Sequence, residues 1–73
     1  MTTYRFTIVV ERDEDGIYIA SCPALQGCYS QGDTYEEAMG NVRDAIRLHI
    51  EARREVGEPI PIETAIDKVE IDV

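Results

Sequence analysis

The chain has 73 residues, a length that fits one domain, and 15 acidic against 7 basic residues give it a formal net charge of −8. A domain this small buries only about 60% of the surface that its unfolded chain exposes, so its own core is marginal. The acidic balance argues against phosphate-backbone binding, which requires a basic surface. No stretch approaches the roughly 20 apolar residues of a membrane helix, and no signal-peptide core follows Met1. We therefore expect a cytoplasmic protein without a direct nucleic-acid or membrane ligand.

Apolar and polar residues alternate at the start of the chain, and this period of two predicts a first strand. Its apolar face carries Tyr4, Phe6, Ile8 and Val10. Residues 13–16 (DEDG) are turn formers that end in a glycine, so we expect the next strand to return antiparallel as a hairpin.

The second predicted strand, residues 17–22, is apolar at nearly every position, which indicates cover on both of its faces. One helix can cover only one face of the sheet. If that helix covers Ala20 and its neighbours of the same parity, the back of the sheet is left apolar and open; the opposite assignment only exchanges the two sets. We therefore expect self-association, as a dimer or tetramer, through Val9, Ile17 and Ile19.

A loop rich in proline and glycine leads to a short third strand over residues 28–32, again in a hairpin. Thr34 and Glu37 have the spacing of a capping box, so a helix is expected to begin at once. An apolar stripe at helical spacing extends this helix over residues 35–56, and Gly57 fits its end.

A last alternation, Val69, Ile71 and Val73 with charged residues between them, predicts a fourth strand over residues 68–73 that turns these three side chains to the core. The preference for right-handed crossovers places it parallel to the first strand and beside it. The predicted fold is α+β, with element order β-β-β-α-β. It is an antiparallel three-stranded meander plus the parallel fourth strand, in spatial order 3-2-1-4, with one long amphipathic helix on one face. Residues 1–73 are expected to form a single domain.

One ordered set of residues spans most of the chain, from the first hairpin turn to the segment after the helix. Its members are Asp15, Gly16, Tyr18, Ala20, Cys22, Pro23, Leu25, Gly27, Cys28, residues 30–34 (SQGDT), Glu36, Glu37, Ala38, Asn41, Ala45, Ile46 and residues 57–61 (GEPIP). In this set the chain resembles the N-terminal domain of the HicB family of antitoxins, which includes short stand-alone members.

The resemblance implies a degenerate RNase H-like fold without nuclease activity. It also implies the function: the antitoxin of a type II toxin–antitoxin system, which binds and neutralises a basic HicA-like mRNA endonuclease. Full HicB proteins add a C-terminal DNA-binding domain, whereas this sequence stops at Val73, so operator binding by this chain itself is not expected. The alternative is a solitary, homo-oligomeric HicB-like protein with no toxin partner.

No catalytic, cofactor or metal site is predicted. A metal-dependent RNase H-like nuclease, the least favoured alternative, would draw its ligands from acidic residues that also suit turns and helix caps: Asp13, Asp15, Asp33, Glu36 and Glu37. His49 lies on the apolar stripe of the helix, where a packed and hydrogen-bonded role is expected. Cys22 and Cys28 are expected to be reduced thiols near strand ends.

The acidic surface is expected to steer a basic toxin, and a lone leucine on the polar side of the helix offers an apolar contact. The predicted partner-binding residues are Asp13, Glu14, Asp15, Glu36, Glu37 and Leu48.

Overall fold

The computed structural model describes residues 3–73, in which three strands precede one helix. The elements are β1 (Val9–Arg12), β2 (Tyr18–Ser21), β3 (Tyr29–Gly32) and α1 (Tyr35–Glu55). β2 lies in the centre of the sheet and pairs antiparallel with both neighbours. The α+β class and the antiparallel meander predicted from the sequence are confirmed.

The turn between β1 and β2 is built around one aspartate. A single carboxylate oxygen of Asp13, Oδ1, accepts hydrogen bonds from the backbone N–H groups of Asp15 and Ile17, both at 2.9 Å. Gly16 has φ +83°, a backbone conformation that favours glycine. These local interactions close the predicted hairpin.

Both ends of α1 have defined caps. The Thr34 hydroxyl oxygen accepts the N–H of Glu37 at 3.1 Å, as the capping-box spacing predicts. At the other end the Gly57 N–H donates to the carbonyl of Arg54, and the Glu58 N–H donates to that of Arg53. These two bonds are those of a Schellman motif, which ends the helix one residue before the predicted boundary.

The core consists of two small clusters between α1 and one face of the sheet. The first buries Ala20, Ala38 and Val42. The second buries Cys22, Cys28 and Leu25, the last of which lies in the loop between β2 and β3. Ile8 and Ile46 pack against both clusters and join them. The helix packs mainly on β3 and β2, so the β1 side of the sheet receives less cover.

The first strand is shorter than predicted. Its pairing with β2 ends at Val9 opposite Ser21, and residues 4–8 lie outside the sheet. The reason lies in the partner strand, because Pro23 has no N–H to donate and the chain there turns into a loop. On the other side of β2, Cys22 donates its N–H to the carbonyl of Cys28.

The predicted fourth strand and the order 3-2-1-4 do not occur in the part of the chain that the structure describes. Residues 62–73 have no regular structure, and Val69, Ile71 and Val73 are exposed rather than turned to the core. Glu63 accounts for the new path, because its carboxylate accepts both the N–H of Thr7, at 2.6 Å, and the Thr7 hydroxyl.

That contact leads the chain away from the outer edge of β1. The N–H of Asp13 donates to the carbonyl of Ile17. Because backbone groups alternate in direction along a strand, odd-numbered residues of β1 direct their N–H groups toward β2. Thr7 follows the same parity, so Glu63 lies on the side of the loop between β2 and β3. There Ala65 and Ile66 line one cavity with Thr7 and Pro23. The outer edge, where the fourth strand was predicted, stays open.

Candidate partner-binding surface

Two groups of predicted partner-binding residues meet at one end of the sheet. Tyr18 at the start of β2 pairs with Arg12 on one side and Gly32 on the other. The first hairpin turn, directly after Arg12, therefore lies at the same end as the start of α1, directly after Gly32. This acidic end comprises the exposed residues Asp13, Glu14, Asp15, Asp33, Glu36 and Glu37.

The residues of the acidic end do not all have free side chains. Asp13 uses one carboxylate oxygen to hold the turn, so its first role is structural. Glu36 and Glu37 lie in the first turn of α1, where the helix dipole favours negative charge. Glu14 and Asp15 make no side-chain hydrogen bond in the described residues, which leaves their carboxylates available to a partner.

Leu48 lies away from the acidic end but on a continuous stripe of α1. It follows Glu37 by eleven residues, a rise of about 16 Å and just over three full turns, so the two side chains lie on the same side of the helix. The stripe continues through acidic residues before and after the leucine: Asp44, Glu51 and Glu55. The Leu48 side chain is 66% exposed, an isolated apolar contact on an acidic helix face.

The back of the sheet carries the residues predicted for self-association. Val9 is 41% exposed, and Ile17 and Ile19 are half-buried, while Ala20 on the other face is buried under α1. Tyr29, opposite Ser21 in β3, adds an exposed aromatic ring to this face and was not predicted. Its place in the alternation of β3 was the signal that could have identified it.

His49 has the hydrogen-bonded role expected of it, and its partner is Arg53. The Nε of Arg53 donates to Nε2 of His49 at 2.8 Å, and Nη1 donates to the carbonyl of Pro59 at 2.8 Å. The pair holds the segment after the helix against its last turn. The histidine nitrogen that could act as a base is therefore occupied.

The two cysteines are free and buried. Burial raises the pKa of both the Cys22 and the Cys28 thiol. A thiol with a raised pKa holds little of the nucleophilic thiolate at neutral pH. Neither cysteine therefore has the environment of a reactive site.

Within residues 3–73, no three or more histidine, cysteine or acidic side chains come close enough to hold a metal ion. The carboxylates considered for an RNase H-like nuclease lie on a turn and at a helix start, and they do not converge on one metal position. In the same residues, no helix has both the length and the hydropathy to cross a membrane.

A second surface was missed at the sequence level. Three arginines, Arg5, Arg43 and Arg47, border an open apolar groove between α1 and residues 4–8. The spacing of four residues between Arg43 and Arg47 on the helix was the one signal for it. Arg5 joins them only through the tertiary structure.

Known proteins resemble this chain in sequence and in fold. The family described as HicB_like antitoxin of bacterial toxin-antitoxin system matches residues 6–72. A UPF0150 protein of Synechocystis sp. is 48% identical over 65 residues, which cover 89% of this chain and 82% of that protein. A UPF0150 protein of Thermoplasma acidophilum is 43% identical and covers 84% of this chain and 88% of its own length.

Two proteins named as HicB antitoxins are also similar. Antitoxin HicB 1 of Photorhabdus laumondii is 33% identical over 94% of this chain, but the match spans only 44% of that longer protein. The crystal structure of the N-terminal domain of Burkholderia pseudomallei antitoxin HicB superposes with a TM-score of 0.73 at 33% identity. That match covers 84% of this chain and 72% of the solved one. The chain therefore belongs to the family of HicB-like antitoxins of bacterial toxin–antitoxin systems.

Proposed function

We propose that this protein is an antitoxin that binds and neutralises a small, basic, HicA-like mRNA endonuclease in the cytoplasm. Family membership supports the antitoxin role. The observation that carries the choice of surface is the acidic end, where the first hairpin turn and the start of α1 come together. The protein acts by covering its partner and catalyses no reaction itself.

The acidic end and the stripe around Leu48 have different parts in the proposed complex. Carboxylates at the acidic end attract a cationic partner and raise the association rate, an effect that salt screens. Leu48 supplies the apolar contact that slows dissociation, since exposed charge pairs contribute little affinity by themselves. The overall charge of −8 favours the same class of partner.

Co-expression tests the proposal directly. A short basic HicA-like reading frame next to the gene is co-expressed with this chain, and growth and co-purification are measured. We expect growth to be rescued and a stable complex to be recovered. A toxin that arrests growth despite this chain, with no complex formed, would contradict the antitoxin role and favour the solitary alternative.

Charge variants test the acidic end. Glu14→Lys should lower the association rate roughly tenfold at low ionic strength, and the difference should shrink as salt is added. Glu58→Lys, the same charge change on an exposed residue beyond the helix, is the matched control and should have a smaller effect. Equal effects of the two variants would mean that only net charge matters.

Leu48 is tested against a residue of similar exposure. Leu48→Ala should weaken the complex by about 1–2 kcal/mol, mainly through faster dissociation. Val56→Ala is the control, because Val56 is 69% exposed against 66% for Leu48 and follows the same helix. If both variants bind the toxin as the unaltered chain does, the helix stripe is not part of the interface.

The back of the sheet supports a further proposal, that the protein self-associates. Val9, Ile17, Ile19 and Tyr29 place apolar side chains on the side of the sheet opposite α1, where Glu11 and Gln31 flank Ile19. A second copy with the same face would cover it in an isologous contact. Such a homo-oligomer fits either an antitoxin or a solitary family member.

A further inference from the structure

An apolar groove of about 570 Å³ runs between α1 and residues 4–8. Its apolar lining is contributed by Tyr4, Phe6, Ile8, Met39, Ile46 and Ile50. In the part of the chain that the structure describes, residues 4–8 make no backbone–backbone hydrogen bond. The Thr7 N–H donates to Glu63 on the side toward the loop between β2 and β3. The backbone groups on the opposite, outer edge of residues 4–8 have no backbone partner within the described residues and are a template for an added strand.

The rim of the groove is positive in an otherwise acidic protein. Arg5, Arg43 and Arg47 border it, and they are three of the seven basic residues of the chain. Nη1 of Arg47 lies 3.7 Å from Oδ1 of Asp44, but both side chains are 72% exposed, so this ion pair is weak. A basic partner is disfavoured here, and an acidic, apolar strand is favoured.

Residues 68–73 of this chain have that chemistry. Val69, Ile71 and Val73 are exposed, and Glu70 and Asp72 alternate with them. In an extended strand the three apolar side chains point to one face and the two carboxylates to the other. The apolar face fits the groove beside α1. The acidic face then turns to the side of the sheet away from α1, where Arg5 lies by the same alternation that places Phe6 and Ile8 in the core.

The same chain does not deliver this segment to its own groove. Glu63 is bound to Thr7, and Ala65 and Ile66 continue past Pro23, on the side away from the open edge. Val69 follows Glu63 by six residues, or about 20 Å of extended chain. Residues 4–8 form an edge only about 16 Å long. A chain that continues straight from the Glu63–Thr7 contact has therefore passed the end of this edge before it reaches Val69.

We propose that residues 68–73 of a second copy of this chain add as a strand to the open edge of residues 4–8. Val69 and Ile71 then occupy the groove, and Glu70 and Asp72 lie on the opposite face of the added strand, on the side of Arg5. A reciprocal exchange closes a two-fold dimer. This contact uses a different surface from the back of the sheet, so either one can fail without the other.

Sedimentation velocity of the full chain at micromolar concentration tests the exchange. Ile71→Asp should weaken self-association roughly tenfold or more, because it places a charge in an apolar groove. Ile62→Asp is the control, since Ile62 is 80% exposed and Ile71 is 70% exposed. A monomeric unaltered chain, or an Ile71→Asp variant that associates as Ile62→Asp does, overturns the proposal.

Mixing two variants distinguishes strand exchange between copies from docking of residues 68–73 on their own chain. Ile50→Asp damages the groove and Ile71→Asp damages the strand, so each variant alone should associate weakly. Their mixture retains one intact groove and one intact strand and should recover association. Arg5→Glu tests the charge contact at an exposed position and should also weaken association. A mixture that stays monomeric overturns the exchange.

Discussion

Gly32 shows how one small residue positions the acidic end. A Cβ built on Gly32 would lie 2.6 Å from the backbone nitrogen of Ala38 and 2.9 Å from Cβ of Glu37. The end of β3 and the first turn of α1 are therefore in direct contact, and only glycine allows this approach. The start of the helix is held at the end of the sheet by that contact.

We expect Gly32→Ala to lower the free energy of unfolding by about 1–3 kcal/mol, because the added methyl group meets backbone atoms that cannot move aside. Urea denaturation measures the change. Gly40→Ala is the matched control: it lies on the exposed side of α1 with nothing within 4 Å of the added Cβ. It should stabilise by roughly 0.5–1 kcal/mol. A Gly32→Ala protein as stable as the unaltered chain would refute the close contact.

Single residues with local partners were predictable from the sequence. Thr34, three residues before Glu37, caps the helix, and this interaction depends only on spacing. His49 and Arg53 are one helical turn apart, so their contact is also local. Arg5, in contrast, meets Arg43 and Arg47 only after the chain has folded.

The connector after α1 determines what the last residues can do. The sequence predicts a strand at residues 68–73 from alternation alone, but alternation gives no information about which edge the strand will reach. The carboxylate of Glu63, bound to Thr7, directs the chain to the other side of residues 4–8. A pair 56 residues apart thus outweighs a local pattern.

This connector contact should depend on pH. Hydrogen bonds to its carboxylate lower the pKa of Glu63 below the ordinary value of 4.5, and the bond from the Thr7 hydroxyl has a larger effect than the bond from the Thr7 N–H. Because the pKa is lower in the folded chain, the contact stabilises the fold fully at pH values above the pKa of the unfolded chain. This stabilisation is lost as the pH falls through the pKa of the folded chain. The amide resonance of Thr7, followed by NMR between pH 7 and pH 2.5, should shift with a midpoint below 4.5. Glu63→Gln should abolish that titration, and a Thr7 amide that does not respond to pH would contradict the contact.

On the scale of the whole molecule, one helix covers one side of a three-stranded sheet and leaves two apolar surfaces open. One is the back of the sheet, and the other is the groove beside residues 4–8. A domain of this size buries a limited share of its surface on folding. Contacts between copies are therefore expected to contribute substantially to its stability.

The back of the sheet is tested independently of the groove. Ile19→Glu places a carboxylate at the centre of that face and should weaken self-association roughly tenfold or more in light scattering at micromolar concentration. Ile62→Asp is again the control. If Ile19→Glu leaves the molar mass unchanged while Ile71→Asp lowers it, strand exchange alone accounts for the assembly.

Local patterns in the sequence were enough to predict the meander, the helix with its caps, and the family, because hydrophobic periodicity, turn residues and capping residues act over short separations. The sequence also indicated that β2 carries more apolar surface than one helix can cover. The path of residues 62–73, the burial of Leu25 in a loop and the arginine rim of the groove became visible only in the folded chain. These features depend on contacts between residues far apart in the chain, and no local pattern specifies which distant residue will take a free hydrogen-bonding group or fill a gap in the core.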